Sequence, residues 1–426
     1  MHNAKISSLL SFLMQLFKSI ERGYSFKSSF YRIASRMLNR EDYPLAYHIA
    51  IEALKNWGKV KLIATHLSHY VSDPILAFGL ASLAYVLKDE RLLDGLHLLL
   101  RRYRISETPQ SLLDVLSTLK TLPPRERLCY NFSLPGWFID RMIALLGHEG
   151  ALSLFQALSR RTVWWRVNTL KATVEQAIRA LERMGIGVEE DRDFPEVLRF
   201  TEGSLKKLAT STLVKEGLIV IQDKASVAVV HALDPRPDDM ILDMCAAPGL
   251  KTTLIAQYTE NRARVLAIDV SLNRSRILQR MLKVCGARNV HVAVADARKL
   301  SLSVRFDKIL LDAPCSSSGA IAVDPSLRLR LEQVELRHYV ELQRSLLRRA
   351  LSLGSEVLYS VCSLLPEEGE ELIDETLDRA STVNLKIPGT YGYAGYTCSK
   401  AVRRFFPHLH HTQGFFIAKI MPIDSL

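Results

Sequence analysis

Two cysteines are the residues of this chain best suited to covalent chemistry. Cys315 lies in the segment Asp-Ala-Pro-Cys-Ser and Cys362 in Tyr-Ser-Val-Cys-Ser, and each follows a short apolar run typical of a strand. Open α/β sheets bind their ligands at the carboxyl ends of the strands, so both thiols are expected at one edge of one sheet. A pair of thiols beside a ligand site favours covalent attack on an electrophilic ring.

A turn of small residues, Asp243–Gly249, lies upstream between a predicted strand and a predicted helix. Its small side chains would let a ligand approach the backbone closely; they are Ala246, Ala247 and Gly249. Asp269 ends the next predicted strand and suits the hydroxyls of a ribose. Asp296 ends the strand after that and suits an adenine amine. The pattern favours a nucleoside cofactor without a pyrophosphate.

Other nucleotide sites fit this turn less well. A dinucleotide fold requires Gly-x-Gly-x-x-Gly, of which only Gly249 is present. A P-loop requires Gly followed directly by Lys, whereas Leu250 separates Gly249 from Lys251. Tight packing between strand and helix is the remaining alternative, and the series of strand-ending aspartates, which includes Asp312, argues against it.

The remaining thiols suggest neither a disulfide framework nor a metal site. Cys129, Cys285 and Cys398 are expected to be small buried hydrophobic residues, and Cys245 is expected to pack inside the turn. The six cysteines form no Cys-x-x-Cys pair, and no histidine has zinc-ligand spacing to them. Scattered free thiols favour a cytoplasmic protein. The apolar stretch 9–17 is too short to cross a bilayer, so no membrane contact is expected.

The elements that must position these residues fall into three predicted domains. Residues 1–122 repeat apolar positions at helical spacing and predict an all-helical domain of five to seven helices. Paired prolines in Leu122–Arg125 mark a break. Residues 126–215 predict a helical linker and a small α+β unit similar to half of a ferredoxin-like fold. Residues 216–426 alternate strands and helices, which predicts a doubly wound, mostly parallel sheet.

The predicted elements of the last two domains can be stated residue by residue. The predicted strands are 163–168, 188, 197–200, 218–221, 240–243, 264–269, 290–294, 308–312, 356–360 and 415–420. The predicted helices are 139–146, 150–158, 174–184, 250–257, 271–284, 329–352 and 366–379.

The charge distribution favours a polyanionic partner. The net charge is +11 with a pI near 9.3, and residues 1–125 hold 17 Lys or Arg against 10 Asp or Glu. The cluster Arg101–Arg104 is either a solvated helix end or an RNA contact in which Tyr103 stacks. Trp164 and Trp165 are expected to pack in the core rather than to stack on bases.

At this point the sequence resembles a known family, the RNA cytosine-5 methyltransferases of the Sun/Nol/Nop2 group. The motifs lie between residues 130 and 420, and both cysteine motifs follow the turn in order. The segments concerned are Arg166–Lys171, Val220–Ser226, Asp243–Thr252, Asp312–Ser316, Tyr359–Glu368 and Gly414–Ala418. The helical domain in front looks like the NusB-like RNA-binding domain of the bacterial 16S ribosomal RNA member.

The resemblance implies a fold, a cofactor and residue roles. The fold would be a class I, Rossmann-like methyltransferase sheet preceded by a ferredoxin- or RRM-like unit. Cys362 would attack carbon 6 of cytosine, Cys315 would help to release the product, and Asp312 would contact the base. S-adenosyl-L-methionine would be held by the backbone and side chains of Cys245, Ala246, Ala247, Pro248, Gly249, Lys251, Asp269, Arg274, Asp296 and Asp312.

The resemblance also bears on the partner. Ribosomal RNA is the expected substrate and transfer RNA the alternative, and the enzyme is expected to be a monomer without metal. A decayed assembly factor that only binds RNA is a further alternative. This sequence departs from the family at a few positions: Ser317 replaces Gly, Val361 replaces Thr, Gly369 replaces Asn and Gln413 replaces Asp. These changes bear on substrate positioning more than on the reaction.

Overall fold

The computed structural model describes residues 2–331 and 336–423. By their contacts the described residues form two compact units, Met1–Ser159 with Ile321–Val334, and Arg160–Ala320 with Glu335–Leu426. The predicted domain boundaries near 122 and 216 stay predictions.

The helices follow the chain order. They are α1 (His2–Glu21), α2 (Phe26–Met37), α3 (Tyr43–Lys55), α4 (Trp57–Leu67), α5 (Pro74–Val86), α6 (Glu90–Arg102), α7 (Pro109–Asp114), α8 (Pro124–Phe132), α9 (Gly136–Ala157), α10 (Val174–Arg183), α11 (Leu205–Ala209), α12 (Thr212–Lys215), α13 (Lys224–Leu233), α14 (Leu250–Tyr258), α15 (Leu272–Cys285), α16 (Leu327–Leu331), α17 (Leu336–Leu353), α18 (Glu370–Asp374) and α19 (Pro407–His410).

The strands are numbered in the same way. They are β1 (Trp164–Val167), β2 (Gly187–Glu190), β3 (Val197–Glu202), β4 (Ile219–Ile221), β5 (Met240–Asp243), β6 (Arg264–Asp269), β7 (Val290–Val294), β8 (Phe306–Asp312), β9 (Gly354–Val361), β10 (Ala380–Val383), β11 (Arg403–Phe405) and β12 (Phe415–Pro422).

The first unit is all-helical, as predicted. Among the described residues, seven α-helices precede residue 122, and their apolar faces share one core in which Trp57 stacks on Phe78 at 4.6 Å. The side chain of Asp73 caps α5 by accepting from the backbone N–H of Ile75. The two helices predicted after residue 138 are observed as two helical segments of α9, separated at Gly147, whose φ of +71° and ψ of 172° are not helical.

The second unit begins with a small antiparallel sheet in the order β2-β3-β1-β4. Thr173 and Gln176 form a capping box that starts α10 against this sheet. The strand predicted over 218–221 forms as β4, but it pairs with β1 rather than entering the large sheet. Trp164 and Trp165 are both buried, as expected for core residues.

The large sheet has eight strands among the described residues. Its order is β10-β12-β9-β8-β5-β6-β7, with β11 beside β12. Strands β5 to β9 are parallel, and β12 is antiparallel to β9. After β7 the chain returns to the far side of β5, so the strand order reverses between β5 and β8. Ligands of such sheets bind outside the carboxyl ends at this point.

Two predicted helices differ from the observed ones. The helix predicted over 329–352 appears as α16 and α17, and positions 332–335 lie outside the described residues. The helix predicted over 366–379 is reduced to a 3-10 turn at Pro366–Glu368 and the short α18. Gly369 interrupts it with φ −126° and ψ −103°, and a Cβ there would lie 2.8 Å from Nη2 of Arg404. Close packing on Arg404 therefore overrides the helical periodicity.

Candidate active site

The small-residue turn is fixed at the carboxyl end of β5. The buried carboxylate of Asp243 accepts a hydrogen bond from Thr252 Oγ1 at 2.7 Å, and burial raises the pKa of Asp243 to about 7. The N–H of Ala246 donates to the carbonyl of Ile268 in β6 at 2.9 Å. Gly249 has φ +106°, a conformation that favours glycine, and α14 begins directly after it.

A cleft of about 340 Å³ opens beside this turn, a size within the range of small-molecule sites. It contains most of the residues predicted from the sequence: Cys245, Ala247, Asp269, Arg274, Asp296, Asp312, Cys315 and Cys362. The predicted residues Ala246, Pro248, Gly249 and Lys251 are not part of its lining among the described residues. Leu342 and Leu346 of α17 add apolar surface.

Asp269 and Arg274 form one end of the cleft. The Asp269 carboxylate is almost fully buried and accepts from the N–H of Ser271 at 2.9 Å. Arg274 Nη1 lies 3.3 Å from the Asp269 Oδ2, and Arg274 Nη2 donates to the carbonyl of Ala247 at 2.6 Å. The guanidinium therefore joins the turn to the end of β6.

Asp296 is held by Arg298, a residue that the sequence analysis missed. Arg298 donates from Nε to Oδ1 at 2.9 Å and from Nη2 to Oδ2 at 2.6 Å. The hydrogen bond from Arg298 lowers the pKa of Asp296. Both residues line the cleft. The sequence contained a signal for this contact, because Arg298 follows the predicted carboxylate Asp296 by two residues.

Asp312 is fixed through both of its carboxylate oxygens. Ser360 Oγ donates to Oδ1 at 2.7 Å from the neighbouring strand β9, and Lys251 Nζ binds Oδ2 at 2.6 Å. The Lys251 ammonium also lies 5.4 Å from the ring centre of Phe415. Lys251 thus contacts the predicted cytosine-binding carboxylate.

The two thiols meet at the end of β8 and β9. Their Sγ atoms lie 3.4 Å apart, and both line the cleft. The hydrogen bond between them raises the pKa of Cys315, as does its burial. The same hydrogen bond lowers the pKa of Cys362. The pair therefore favours a thiolate on Cys362 that accepts from a protonated Cys315.

Ser317, which stands where the family resemblance leads us to expect glycine, adopts a left-handed backbone with φ +58°. This conformation costs a residue with a Cβ about 1–2 kcal/mol, so glycine would be favoured here. The Ser317 hydroxyl lies 3.9 Å from Cys315 Sγ, and its hydrogen bond to Cys362 contributes to the lowered pKa of that thiol. The sequence marked this position as a departure from the family but not as a contact of the thiols.

The motif residues Arg166 and Asn168 lie outside the cleft lining. Arg166 is fully buried and donates to Gln257 Oε1 and Thr253 Oγ1 of α14, both at 3.0 Å. Asn168 Nδ2 donates to the carbonyls of Gly217 and Cys285. The Arg166 contacts attach β1 of the small sheet to α14, which follows the turn, and the Asn168 contacts attach the end of β1 to Gly217 and to the end of α15.

The chemistry of the lining fits a nucleoside with a charged tail. Its carboxylates accept from hydroxyl and amine donors, its apolar side chains suit a base, and Arg274 provides a cation beside the turn. Within the described ranges, no group of three or more His, Cys, Asp or Glu side chains is placed to hold a metal ion. No helix in the described part of the chain is long and apolar enough to cross a membrane.

Comparisons with known proteins agree with this arrangement. The family model for 16S rRNA methyltransferase RsmB/F matches residues 230–421, and the model for the RsmF/B-like ferredoxin-like domain matches residues 134–204. The crystal structure of a protein designated PH0851 superposes with a TM-score of 0.77 at 28% identity, covering 97% of this chain and 98% of that one.

Two curated relatives differ in the RNA that they methylate. The 25S rRNA (cytosine-C(5))-methyltransferase nop2 of Schizosaccharomyces pombe is 30% identical over 74% of this chain and 57% of its own length. The tRNA (cytosine(72)-C(5))-methyltransferase of Pyrococcus horikoshii is 36% identical over 57% of this chain and 64% of its own. The chain thus spans less than two thirds of either relative.

Proposed function

The chain belongs to the Sun/Nol/Nop2 family of RNA cytosine-C5 methyltransferases, and on this premise we propose that it methylates carbon 5 of a cytosine in RNA. The observation that supports this most directly is the thiol pair. Two cysteines from different strand ends lie 3.4 Å apart in a cleft that also contains the Asp312 carboxylate.

We propose S-adenosyl-L-methionine as the methyl donor. Asp269 would hold the ribose and Asp296 the adenine, while Arg274 and the backbone of Cys245–Gly249 would hold the amino-acid end. When bound, this cofactor supplies an electrophilic methyl group. Lys251 is also proposed to hold the amino-acid end, since binding Asp312 Oδ2 at 2.6 Å uses one of the three N–H donors of its ammonium.

Cys362 is the proposed nucleophile. Carbon 5 of cytosine is a poor nucleophile until a thiolate adds to carbon 6, and the Cys362 thiolate forms this C6–S bond. Asp312 is held with its carboxylate at the cleft wall, where it would accept from the N4 amine and from N3 once the attacked ring is protonated at that nitrogen. The base must leave its stack to reach these groups, which favours a loop or an opened helix end.

Cys315 is proposed to act after methylation. A base then takes the carbon 5 proton, the C–H electron pair forms the C5–C6 double bond, and the C6–S bond breaks with its electron pair returning to Cys362. While the adduct exists, Cys362 is a neutral thioether, so the thiolate that raised the pKa of Cys315 is gone. The pKa of Cys315 falls at that stage, and this thiol becomes better able to assist the elimination.

We propose ribosomal RNA as the substrate, with transfer RNA as the alternative, and a monomeric cytoplasmic enzyme. The net charge of +11 supports an RNA partner, and the helical region 1–122 is proposed to bind it. Exposed Tyr103 beside Arg101, Arg102 and Arg104 is a candidate contact.

The test is transfer of a labelled methyl group from S-adenosylmethionine into RNA by purified protein. Wild type should label cytosine at carbon 5, Cys362→Ala should label nothing, and Cys315→Ala should accumulate a protein–RNA adduct that survives denaturant. Cys285→Ala, a buried thiol outside the cleft lining, is the matched control. An adduct with Cys362→Ala would reverse the two roles, and RNA binding without methyl transfer by wild type would favour the assembly factor.

A further inference from the structure

A buried carboxylate lies behind the two thiols and is bonded to both of their loops. The Glu368 side chain is fully buried and accepts from the backbone N–H of Ser316 at 2.8 Å and from its Oγ at 2.6 Å. Ser363 Oγ donates to the same carboxylate. Ser316 follows Cys315 directly and Ser363 follows Cys362 directly, so Glu368 joins the residues next to each thiol.

The same carboxylate reaches a third segment. Gln343 Nε2 of α17 donates to Glu368 Oε1 at 3.0 Å and to the carbonyl of Pro314 at 2.9 Å. Gln343 therefore joins the Cys315 loop to α17, whose Leu342 and Leu346 line the cleft. Glu368 itself is not part of the cleft lining.

Direct bonds between the two loops complete the network. Ser318 Oγ lies 3.1 Å from Ser363 Oγ and accepts from the N–H of Leu364 at 2.9 Å. The N–H of Gly319 donates to the carbonyl of Cys362 at 3.0 Å. A Cβ at Gly319 would lie 2.1 Å from the carbonyl oxygen of Gly414, so the loop has no room to shift in that direction.

The charge of Glu368 distinguishes this residue from a neutral bridge. Its donors are an N–H, two hydroxyls and a side-chain amide, all of them neutral groups that a glutamine could also engage. Burying a carboxylate among neutral donors is costly. Its negative charge is among the causes that raise the pKa of Cys315, after the hydrogen bond to Cys362 and burial. The charge thus acts on one thiol of the pair.

We propose that Glu368 is a positioning residue, which sets the separation of the Cys315 and Cys362 thiols and directs nucleophilic reactivity to Cys362. This proposal depends on the proposed function in one respect, namely that the two thiols serve methyl transfer to RNA. The preference between the thiols belongs to the protein alone, so it can be measured without RNA or cofactor.

The first experiment is iodoacetamide alkylation of Glu368→Gln, with the modification of each cysteine followed by mass spectrometry. Wild type should react at Cys362 before Cys315. In Glu368→Gln the ratio of the two rates should fall by about twofold to fourfold, because loss of the negative charge lowers the pKa of Cys315 and the gain in thiolate is partly offset by its weaker nucleophilicity. Glu371→Gln is the control, because Glu371 lies on α18 outside the cleft lining and accepts from Tyr396 Oη at 2.8 Å. An unchanged ratio in folded Glu368→Gln would overturn the proposal.

A second variant tests the positioning role, and it can be measured even if Glu368→Gln does not fold. Ser363→Ala removes the bond from the Cys362 loop and leaves the charge in place. The kcat for methyl transfer should fall, while KM for RNA and for S-adenosylmethionine stays constant, because neither Ser363 nor Glu368 lines the cleft. A wild-type kcat in Ser363→Ala would refute the positioning role. If wild type transfers no methyl at all, the proposed function fails while the alkylation result still stands.

Discussion

Replacing Cys315 by alanine should make Cys362 a weaker nucleophile before any RNA binds. The Cys315 thiol, 3.4 Å away, is the largest cause that lowers the pKa of Cys362. A hydrogen bond to a charged group is worth about 1.5–3 kcal/mol, and one pKa unit corresponds to about 1.36 kcal/mol. The variant should therefore raise the pKa of Cys362, and at a pH below that pKa the thiolate fraction should fall by about tenfold to a hundredfold.

The expected loss of reactivity is smaller than the loss of thiolate. At a pH below the pKa, each unit by which the pKa of a thiol rises reduces its thiolate fraction about tenfold. The more basic thiolate is, however, about threefold more nucleophilic for a Brønsted slope of about 0.4–0.5. Alkylation of Cys362 by iodoacetamide at a pH below its pKa should thus slow by about threefold to twelvefold.

The assay is the rate of Cys362 alkylation from acidic to alkaline pH, read by mass spectrometry in Cys315→Ala and in the control Cys285→Ala. The midpoint should move to higher pH in the first variant alone. A midpoint that stays in place or moves to lower pH would show that Cys315 is not the donor, and the assignment of the thiolate to Cys362 would lose its physical basis.

Three further predictions concern stability. Ser317→Gly should stabilise the fold by up to about 1 kcal/mol in denaturant titrations, because it relieves the left-handed backbone, and should raise the pKa of Cys362; lower stability would contradict the strain. Burial raises the pKa of Asp243 to about 7, so its ionisation favours the unfolded chain and wild-type stability should fall as pH rises from about 4 to about 7. Asp243→Asn should lack this decline, a difference of up to about 4 kcal/mol, and parallel pH profiles of the two proteins would refute it. Glu370→Gln should cost about 3–5 kcal/mol, because it leaves the fully buried Arg404 without its charge partner, and Glu370→Gln with Arg404→Met should recover much of that loss; equal unfolding midpoints of the single variant and wild type would contradict it.

Much of the large sheet could be predicted from the sequence, because buried parallel strands are continuous apolar runs that end in polar residues. β5, β6 and β7 begin and end at the predicted residues. The pairing of β4 could not be predicted, since a three-residue apolar strand carries no signal for its partner. The short α18 likewise depends on contacts with Arg404, which follows it by thirty residues of chain.

The residues of the chemistry were available in the sequence alone: two thiols, a small-residue turn and aspartates at successive strand ends. Spacing along the chain indicates which side chains reach the same edge, since every parallel strand ends there. Only the tertiary structure decided which of them touch. The 3.4 Å approach of the thiols, the binding of Lys251 to Asp312 and the hydrogen bond from Ser316 to Glu368 each join segments that are 47 to 61 residues apart in the chain. Electrostatic differences between two similar thiols arise from such contacts, so the protonation of the pair follows from the fold.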